Sequence, residues 1–581
     1  MSSIGVWLRR ILADARGQRV FLALVIAWLY WLYGWRPFVI QTWAVVDDGL
    51  YVRHATAFLD WLRGTGTRWL GPFDSYLLAK VPLYGIWLAT LNILGLPLRV
   101  GEFLLFLTCG FLFRRAVRPV RLLVWWEFAF VLFLLLANPL LPFDFFLHRL
   151  SFHAALTDLC LIAAVGLALR AGAVMRARLL WALLLGFLFS LCYLNREEAI
   201  WVVVVVFAAF MIVGAVSLLA CHRGDARWRP AVRGLALAML AFLVGALPLI
   251  LAVCTLNKVH YGAFITTFRR SSAFTGLYQR LTSLEPAGHR AYIPIARSTR
   301  LKAYELSPTF AKLQPFLEGQ RGYWHAGNAE HSAMNGHKPE EQEFFVSYFE
   351  FSLVWAATES GAKRADEVEV IFRSIDRELA QAVRQKQIVA GASGPAVLAA
   401  LIPGDYGRIA AAFWKSIVAL SSASNAGYAW LPGPQAPRDH LVRAGELTHS
   451  WVEVQSQSSM QFSMRRPWIL WMTRLQTVLY PLIFLSIPAL ILWRRKEVFT
   501  RRPTQAGLLL WTLVVPAVGL GAFCFSMAVV EVLCCKIIVG LYNMLGYAPI
   551  TVLCACAFTC MVVFLRPQPP AGGQVAPVRG D

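Results

Sequence analysis

Runs of apolar residues long enough, or nearly long enough, to cross a bilayer recur through this chain, and they constrain its fold more than any other feature. A helix needs about 20 predominantly apolar residues to span the hydrocarbon core. The composition agrees, because 58% of the 581 residues are hydrophobic and 15% are charged, whereas soluble domains have roughly 25% charged residues. We therefore expect an all-α, polytopic membrane protein. The ten predicted spans are residues 21–40, 99–113, 122–141, 150–169, 179–194, 199–220, 234–254, 475–493, 506–530 and 537–565.

Basic residues cluster in the short links between these runs and indicate how the chain is threaded. The net charge is +22, and cytoplasmic loops are the ones that carry an excess of Lys and Arg. An inside amino terminus places the Arg-rich links on the cytoplasmic side, provided that the apolar stretch 76–96 does not cross. We therefore expect 76–96 to be a re-entrant or interface-lying element. The charge is explained by topology, and we expect no nucleic-acid partner.

The same threading divides the chain into four parts. Residues 1–254 are expected to form a seven-span transmembrane module, and 255–466 a mostly helical soluble domain on the outer side, large enough to bury its own core. Residues 467–566 are expected to form a three-span module, and 567–581, which are rich in Pro and Gly, a disordered cytoplasmic tail.

An acidic pair, Asp47-Asp48, stands where the first predicted span gives way to a polar loop. Adjacent carboxylates at a water boundary are costly beside lipid and useful for chemistry. The residues that follow Tyr51 have the spacing of an amphipathic helix lying on the membrane surface. One Asp can serve as the N-cap of that helix, which leaves a second carboxylate spare.

Other charged residues fall on the same predicted outer side. Each also has a simpler interpretation: a lysine in an apolar stretch snorkels, a buried Asp pairs with Arg for helix packing, and a short link between spans is polar by necessity. The alternative is that they hold an anion such as a phosphate. The candidates are Lys80, Arg149, His153, Asp158, Arg196, Glu197 and Glu198.

The eleven cysteines lie in or beside apolar runs, and none has the spacing of a metal site. Small buried side chains are the expected role. An oxygen-rich carboxylate site could accept Mg²⁺ or Mn²⁺, but no cofactor is certain from the sequence.

In the order of these features the chain resembles the GT-C superfamily of integral-membrane glycosyltransferases, which use polyprenyl-phosphate-linked sugars. The resemblance covers roughly residues 20–265. Its motifs are the acidic pair Asp47-Asp48, the sequence Lys80-Val81-Pro82-Leu83 in place of Lys-Pro-Pro-Leu, a second acid at Asp158, an Arg-acid turn at Arg196-Glu197, and Tyr261-Gly262 after the seventh span.

The resemblance implies transfer of a sugar from a polyprenyl-phosphate donor to an envelope glycan, lipid or other acceptor, with inversion at the anomeric carbon. Asp47 or Asp48 would be the general base, and Lys80, Arg149 and Arg196 would bind the donor phosphate. His153, Asp158, Glu197, Glu198 and Tyr261 would support the site or contact substrate. The implied location is a bacterial-type inner membrane, with the site facing the periplasm.

Two other classes of function stay open. A transporter or flippase of lipid-linked glycans would also place charge near the membrane, although such proteins often have paired halves and interrupted midplane helices. A membrane scaffold that binds envelope partners is the third possibility.

Overall fold

The computed structural model describes residues 14–34, 48–136, 147, 149–224, 227–285, 292–319, 342–391, 403–421, 438–450, 458–495, 505–533 and 541–565. Within these ranges the regular secondary structure is helical, which confirms the predicted fold class. The helices are α1 (Ala15–Tyr33), α2 (Asp48–Leu62), α3 (Leu83–Ile93), α4 (Leu98–Val117), α5 (Trp125–Leu136), α6 (Leu150–Ala168), α7 (Met175–Asn195), α8 (Val202–His222), α9 (Trp228–Tyr261), α10 (Ser272–Ser283), α11 (Arg297–Leu306), α12 (Pro308–Ala311), α13 (Gln314–Leu317), α14 (Val346–Glu359), α15 (Ala365–Arg384), α16 (Pro403–Ser421), α17 (Arg438–Thr448), α18 (Ser458–Trp493), α19 (Gln505–Thr512), α20 (Val514–Leu533) and α21 (Tyr547–Leu565).

Seven helical segments of the described chain are long and apolar enough to cross a membrane, or eight if the bent pair α3–α4 is one span. The predicted count of ten is therefore not confirmed. The predicted spans 21–40 and 122–141 continue beyond the described residues, where α1 and α5 end. The seven segments are Leu150–Ala168, Met175–Asn195, Ala199–His222, Trp228–Tyr261, Arg474–Trp493, Gly507–Leu533 and Tyr547–Leu565.

The stretch 76–96 forms a turn followed by the short helix α3. At 1.5 Å per residue, the 11 residues of α3 extend roughly 17 Å, well short of the ~30 Å hydrocarbon core. The chain then bends by 107° into α4. Such a bend fits either a broken span or a re-entrant element, so the predicted re-entrant role of 76–96 stays a prediction.

Helix α6 lies at the centre of the bundle. All of its residues are buried, and it packs against α4, α7, α8, α20 and α21. Because every face of α6 is covered by other helices, its polar residues His153 and Asp158, like the N-cap residue Arg149, are enclosed by protein rather than by lipid.

The segment after α9 contributes to two separate cores. Helices α10–α15, which we call the helical insert (residues 272–391), bury Phe274, Phe349 and Phe372 together with Trp69 and Leu77 of the loop after α2. Helices α16 and α17 pack elsewhere, α16 on the apolar helix α20 and α17 on α2 and α3. The helical insert is therefore joined to the loop between α2 and α3, while the later part of the predicted outer domain is joined to the bundle.

Candidate functional site

The carboxylate of Glu197 joins two of the segments singled out in the sequence. Its Oε2 accepts a hydrogen bond from the Arg149 guanidinium at 2.8 Å, and its Oε1 accepts one from the backbone N–H of Val81 at 3.1 Å. Arg149 also donates to the carbonyl of Asn195 at 2.6 Å. The side chains of Arg149 and Glu197 are 2% and 6% exposed, so this is a buried, charge-assisted contact rather than a surface ion pair.

The local backbone explains why these groups meet. Helix α7 ends at Asn195, and Arg196 is extended, with φ −142° and ψ 141°. A 3₁₀ turn then begins at Glu197. This break, which we call the Glu197 turn (residues 195–198), directs the Glu197 carboxylate toward the amino-terminal end of α6. Pro82, which has no N–H, precedes α3, and the N–H of Val81 is the donor that reaches Glu197.

Arg270 fixes the Glu197 turn from the side of the helical insert. Its guanidinium donates to the carbonyls of Tyr193 at 2.9 Å, Arg196 at 3.1 Å and Glu197 at 3.3 Å. It also lies 3.6 Å from the centroid of the Tyr193 ring. The planar guanidinium has several N–H donors and can bind several carbonyl groups at once. These bonds attach the short segment that leads into α10 to the Glu197 turn.

Lys80 shares an aromatic partner with a second cation, which is contributed by the chain after α9. The Lys80 ammonium is 5.8 Å from the centre of the Phe351 ring, and the Arg269 guanidinium is 4.9 Å from the same centre. Arg269 is paired with buried Glu350 at 2.5 Å. Cations within about 6 Å of an aromatic face are attracted to it, so Lys80 and Arg269 both have Phe351 of the helical insert as a partner.

Asp48 is the first described residue of α2 and is 1% exposed. Three residues later on the same helical face, the ring of Tyr51 lies 5.8 Å from the Arg149 guanidinium and 5.0 Å from the ring of Tyr84, edge to face. The Tyr51 ring therefore links the first turns of α2, where the helix dipole favours a carboxylate, to Arg149. Asp47, its predicted partner, lies outside the described residues.

Helices α2 and α3 approach each other closely at Gly85. A Cβ added there would lie 2.6 Å from the Cβ of His54 and 3.3 Å from the backbone nitrogen of Ala55. Six residues before α3, the loop is fixed by the buried His54 ring, whose Nε2 is 3.1 Å from the Leu77 carbonyl. Burial, with a smaller effect from Arg53, lowers the pKa of His54 to about 3, although the bond to Leu77 opposes this. The ring is therefore neutral and donates from Nε2.

The carboxylate of Asp74 organises the same loop. It is paired with Arg53 of α2, and its Oδ1 accepts from the backbone N–H groups of Tyr76 and Leu77 at 2.9 Å each. The loop that presents Lys80 and Val81 is thus held by Asp74 and His54, neither of which was predicted as a site residue.

Two further predicted site residues lie within α6, away from the Glu197 turn. Asp158 is fully buried, and its Oδ1 accepts from the Thr551 hydroxyl of α21 at 3.4 Å. His153 is also buried, one helical turn after Arg149, whose carbonyl accepts its backbone N–H. The bond to Thr551 attaches α6 to α21, whereas the backbone bond of His153 lies within the α6 segment itself.

Tyr261 lies at the end of α9, where it holds the loop after α2. Its hydroxyl donates to the Gly71 carbonyl at 3.0 Å and accepts from the Leu70 N–H at 3.1 Å. Gly262, with φ +87°, ends α9 in the left-handed conformation, and a Cβ there would collide with the Asp366 carboxylate at about 2.3 Å. Glu198 follows Glu197 in the 3₁₀ turn, and its side chain is outside the described part.

The sequence motifs missed the residues that hold the site together. Arg270 is one of two adjacent arginines soon after Tyr261-Gly262. The sequence shows that this position is charged but does not show which carbonyl groups the guanidinium binds. Phe351 gives no signal, because an aromatic residue in an amphipathic helix is most often core. Within the described residues, no group of three or more His, Cys, Asp or Glu side chains could hold a metal ion, so we assign no metal ligands.

No family model and no curated protein matches this chain. It is similar to two solved structures of ArnT from Cupriavidus metallidurans. The apo structure is 14% identical, with 94% of this chain and 78% of that chain covered and a TM-score of 0.30. The structure bound to undecaprenyl phosphate is 14% identical, with 92% and 78% covered and a TM-score of 0.29. At these TM-scores the likeness carries no argument, so the functional assignment depends on the contacts around Glu197.

Proposed function

We propose that this chain is a membrane glycosyltransferase that moves a sugar from a polyprenyl-phosphate donor to a glycan, lipid or other acceptor. The observation that carries the proposal is the meeting of three segments at Glu197: the Lys80-Val81 turn, the amino-terminal end of α6 at Arg149, and the Glu197 turn itself. These segments are remote in sequence, and each brings a cation to one end of the bundle.

Lys80 and Arg196 are the proposed ligands of the donor phosphate. Lys80 is partly exposed and next to Val81, whose N–H is bonded to Glu197. Arg196 is held in place through its carbonyl by Arg270. Arg149 and Arg196 are each 2% exposed, but the Arg149 guanidinium is bonded to Glu197 and Asn195, so its proposed role in the described state is to position the Glu197 turn. Fixed cations of this kind stabilise the negative charge that grows on a departing phosphate.

Asp48 is the proposed general base. Its place at the amino-terminal end of α2 stabilises the carboxylate form, which is the form that accepts a proton. The acceptor hydroxyl would lose its proton to Asp48 as its oxygen forms the bond to the anomeric carbon. The bond from that carbon to the phosphate oxygen breaks on the opposite face, so the configuration inverts and polyprenyl phosphate leaves. We route no step through a metal ion.

The reaction is proposed to take place on the periplasmic side of a bacterial-type inner membrane. The support is the distribution of charge in the sequence, where the Arg-rich links and the site segments fall on opposite sides. The packing of the helical insert against the loop between α2 and α3 agrees with this, since it puts the insert and the candidate site at the same end of the bundle.

The test compares cells that lack the protein with cells that carry the wild type, Asp48→Asn or Asp60→Asn. Mass spectrometry measures the polyprenyl-linked sugars and the envelope glycans, and immunoblotting of membranes verifies equal amounts of protein. We expect a donor lipid to accumulate and a glycan modification to disappear in the deletion and in Asp48→Asn. Asp60, a carboxylate of the same helix α2, is the matched control, and Asp60→Asn should restore the wild-type pattern.

Two results would contradict the proposal. Full restoration by Asp48→Asn would rule out Asp48 as the base. A deletion that leaves every envelope glycan chemically unchanged, but shifts a lipid-linked sugar from one leaflet to the other, would indicate a flippase.

A further inference from the structure

Helix α16 lies in the segment predicted to belong to a soluble outer domain, yet one of its faces is apolar and uncovered. Tyr406, Trp414 and Val418 are 64%, 63% and 60% exposed. At 100° per residue, these three fall within one sector of about 120°, which also contains exposed Ala410. Ile417 lies in the same sector but is partly buried against the core of the bundle. An exposed cluster of large apolar side chains marks an interaction surface.

The rest of α16 divides into two other sectors. A buried sector contains Asp405, Ile409, Ala412, Ser416 and Leu420. A third sector, between the buried and the exposed apolar ones, carries Arg408 and Lys415, whose side chains are 47% and 52% exposed. A helix in a soluble domain needs only a core face and a polar face, so the exposed apolar sector calls for a partner of its own.

The buried sector shows where α16 lies relative to the membrane. Ile409, Ala412 and Ala419 pack on Ala528, Val532 and Leu533, which form the last turns of the candidate span Gly507–Leu533. Lys415 pairs with Glu531 in the same turns at 3.0 Å.

A buried hydrogen bond then joins α16 to the segment that leads into α21. The Ser416 hydroxyl donates to the Asn543 side chain at 2.7 Å. Helix α16 is therefore seated on the last turns of one candidate span and beside the start of another.

We propose that α16 is an interfacial membrane helix, whose Tyr406–Trp414–Val418 sector is inserted into the boundary between lipid headgroups and acyl chains. Tyr and Trp are the side chains enriched at that depth, because their rings are apolar and carry a polar group. Arg408 and Lys415 lie in the sector beside it, where their charged ends reach water, as in other helices that lie in the interface plane. Among possible occupants, the bilayer is favoured by this continuity with a membrane span. The inference is independent of the proposed glycosyltransferase activity.

The experiment places the photoreactive residue p-benzoylphenylalanine at position 414 of the full-length protein in native membranes or nanodiscs. On illumination it inserts into nearby C–H bonds, and mass spectrometry of the digested protein identifies what is attached. Phe525, an exposed residue of α20, is the matched lipid-facing position. Val370, an exposed apolar residue of α15 in the helical insert, is the matched position away from the membrane.

We expect a phospholipid adduct at position 414 at a yield similar to that at 525 and several-fold above that at 370. Position 406 should give the same result and serves as the second site if the protein labelled at 414 does not accumulate. The proposal is overturned if positions 414 and 406 crosslink to another protein or to a second copy of this chain. It is overturned equally if their lipid yield is no higher than that of position 370.

Discussion

Glu197 connects three segments of the candidate site, and its burial sets the energetics of the site. The Arg149–Glu197 pair is nearly inaccessible to water. Removing one partner of such a pair leaves an uncompensated charge, at a cost of about 3–5 kcal/mol, while replacing both is far less costly. The pair therefore fixes the amino-terminal end of α6 relative to the Glu197 turn, and its net contribution to the free energy of unfolding is small.

This predicts strong coupling in a double-mutant cycle. Glu197→Gln and Arg149→Gln should each lower the free energy of unfolding in detergent, and the double variant should lose less than the sum, with a coupling of about 1–3 kcal/mol. The control is the Arg280–Asp376 pair, which is 3.1 Å apart with side chains 34% and 32% exposed, and it should show a coupling of at most about 1 kcal/mol. If the double variant lost as much free energy of unfolding as the two single variants together, the result would contradict the assigned coupling between Arg149 and Glu197.

The buried imidazole of His54 predicts a dependence of stability on pH. Its pKa falls from 6.5 to about 3 in the folded chain. Between these values the unfolded chain binds a proton that the folded chain does not, so stability is complete above pH 6.5 and decreases as the pH falls toward 3. The slope from this group is about 1.4 kcal/mol per pH unit.

The variant His54→Gln keeps a donor for the Leu77 carbonyl but does not titrate. Thermal unfolding of the wild type and the variant from pH 7.5 to pH 4.5 should show a smaller loss of stability in the variant. Identical slopes for the two proteins would show that His54 does not supply this pH dependence.

At the scale of residues, the sequence singled out charged groups that the structure brings into contact, but it did not predict their partners; that they form a functional site stays a prediction. Lys80, Arg149, Arg196 and Glu197 were singled out because charge beside apolar runs is costly, and the structure places all four in connected segments. Asp158 satisfied the same criterion and is bonded to Thr551 of a helix almost 400 positions later. Which partner a buried charge finds depends on the tertiary contacts, and a pattern along one segment does not contain them.

The close contact between α2 and α3 holds the loop that carries Lys80 and Val81. Gly85 makes this contact possible because it has no side chain. Gly85→Ala would require the two helices to separate, because the added Cβ lies within 2.6 Å of the His54 Cβ. We expect a loss of about 1–3 kcal/mol, as for other overpacked contacts. Chemical unfolding in detergent measures it.

Gly521→Ala in α20 is the control for that measurement. A Cβ at this position has no atom within 4 Å, and alanine favours a helix by up to about 1 kcal/mol. The control should therefore be neutral or slightly stabilising. If Gly85→Ala changed the free energy of unfolding no more than Gly521→Ala does, the result would show that α2 and α3 are not in close contact.

Among the helices, those formed by long apolar runs were the easiest to predict from the sequence. The packing partners of the amphipathic helices were the hardest to predict. The spans predicted at 150–169, 179–194, 199–220 and 234–254 correspond to α6, α7, α8 and α9, with ends shifted by up to seven residues. Helix α16 has the periodicity of an amphipathic helix whether its apolar residues face a soluble core, a membrane span or lipid. The sequence was therefore interpreted as one domain from 255 to 466, although α16 and α17 pack on the bundle.

For the whole molecule, the arrangement of the helical insert is the main result that the sequence did not contain. Residues Trp69, Leu70, Leu77 and Leu78 share a core with the insert, and Arg270 ties its start to the Glu197 turn. The insert therefore supports the candidate site directly. Fold class followed from composition and apolar runs, but this connection depends on contacts between segments separated by almost 200 residues.

Binding of a polyprenyl phosphate to the purified protein is the decisive measurement for the proposed donor site. The titration compares the wild type with Lys80→Met and with Lys302→Met, an exposed lysine of the helical insert, and uses the uncharged polyprenol as a second ligand. We predict that Lys80→Met weakens binding of the phosphate about ten-fold or more, as expected when a contact to a charged group is lost. Lys302→Met should bind as the wild type does, and the polyprenol should bind weakly to all three. Equal affinity of the wild type and Lys80→Met for the phosphate, or of the wild type for the phosphate and the alcohol, would contradict the proposed site.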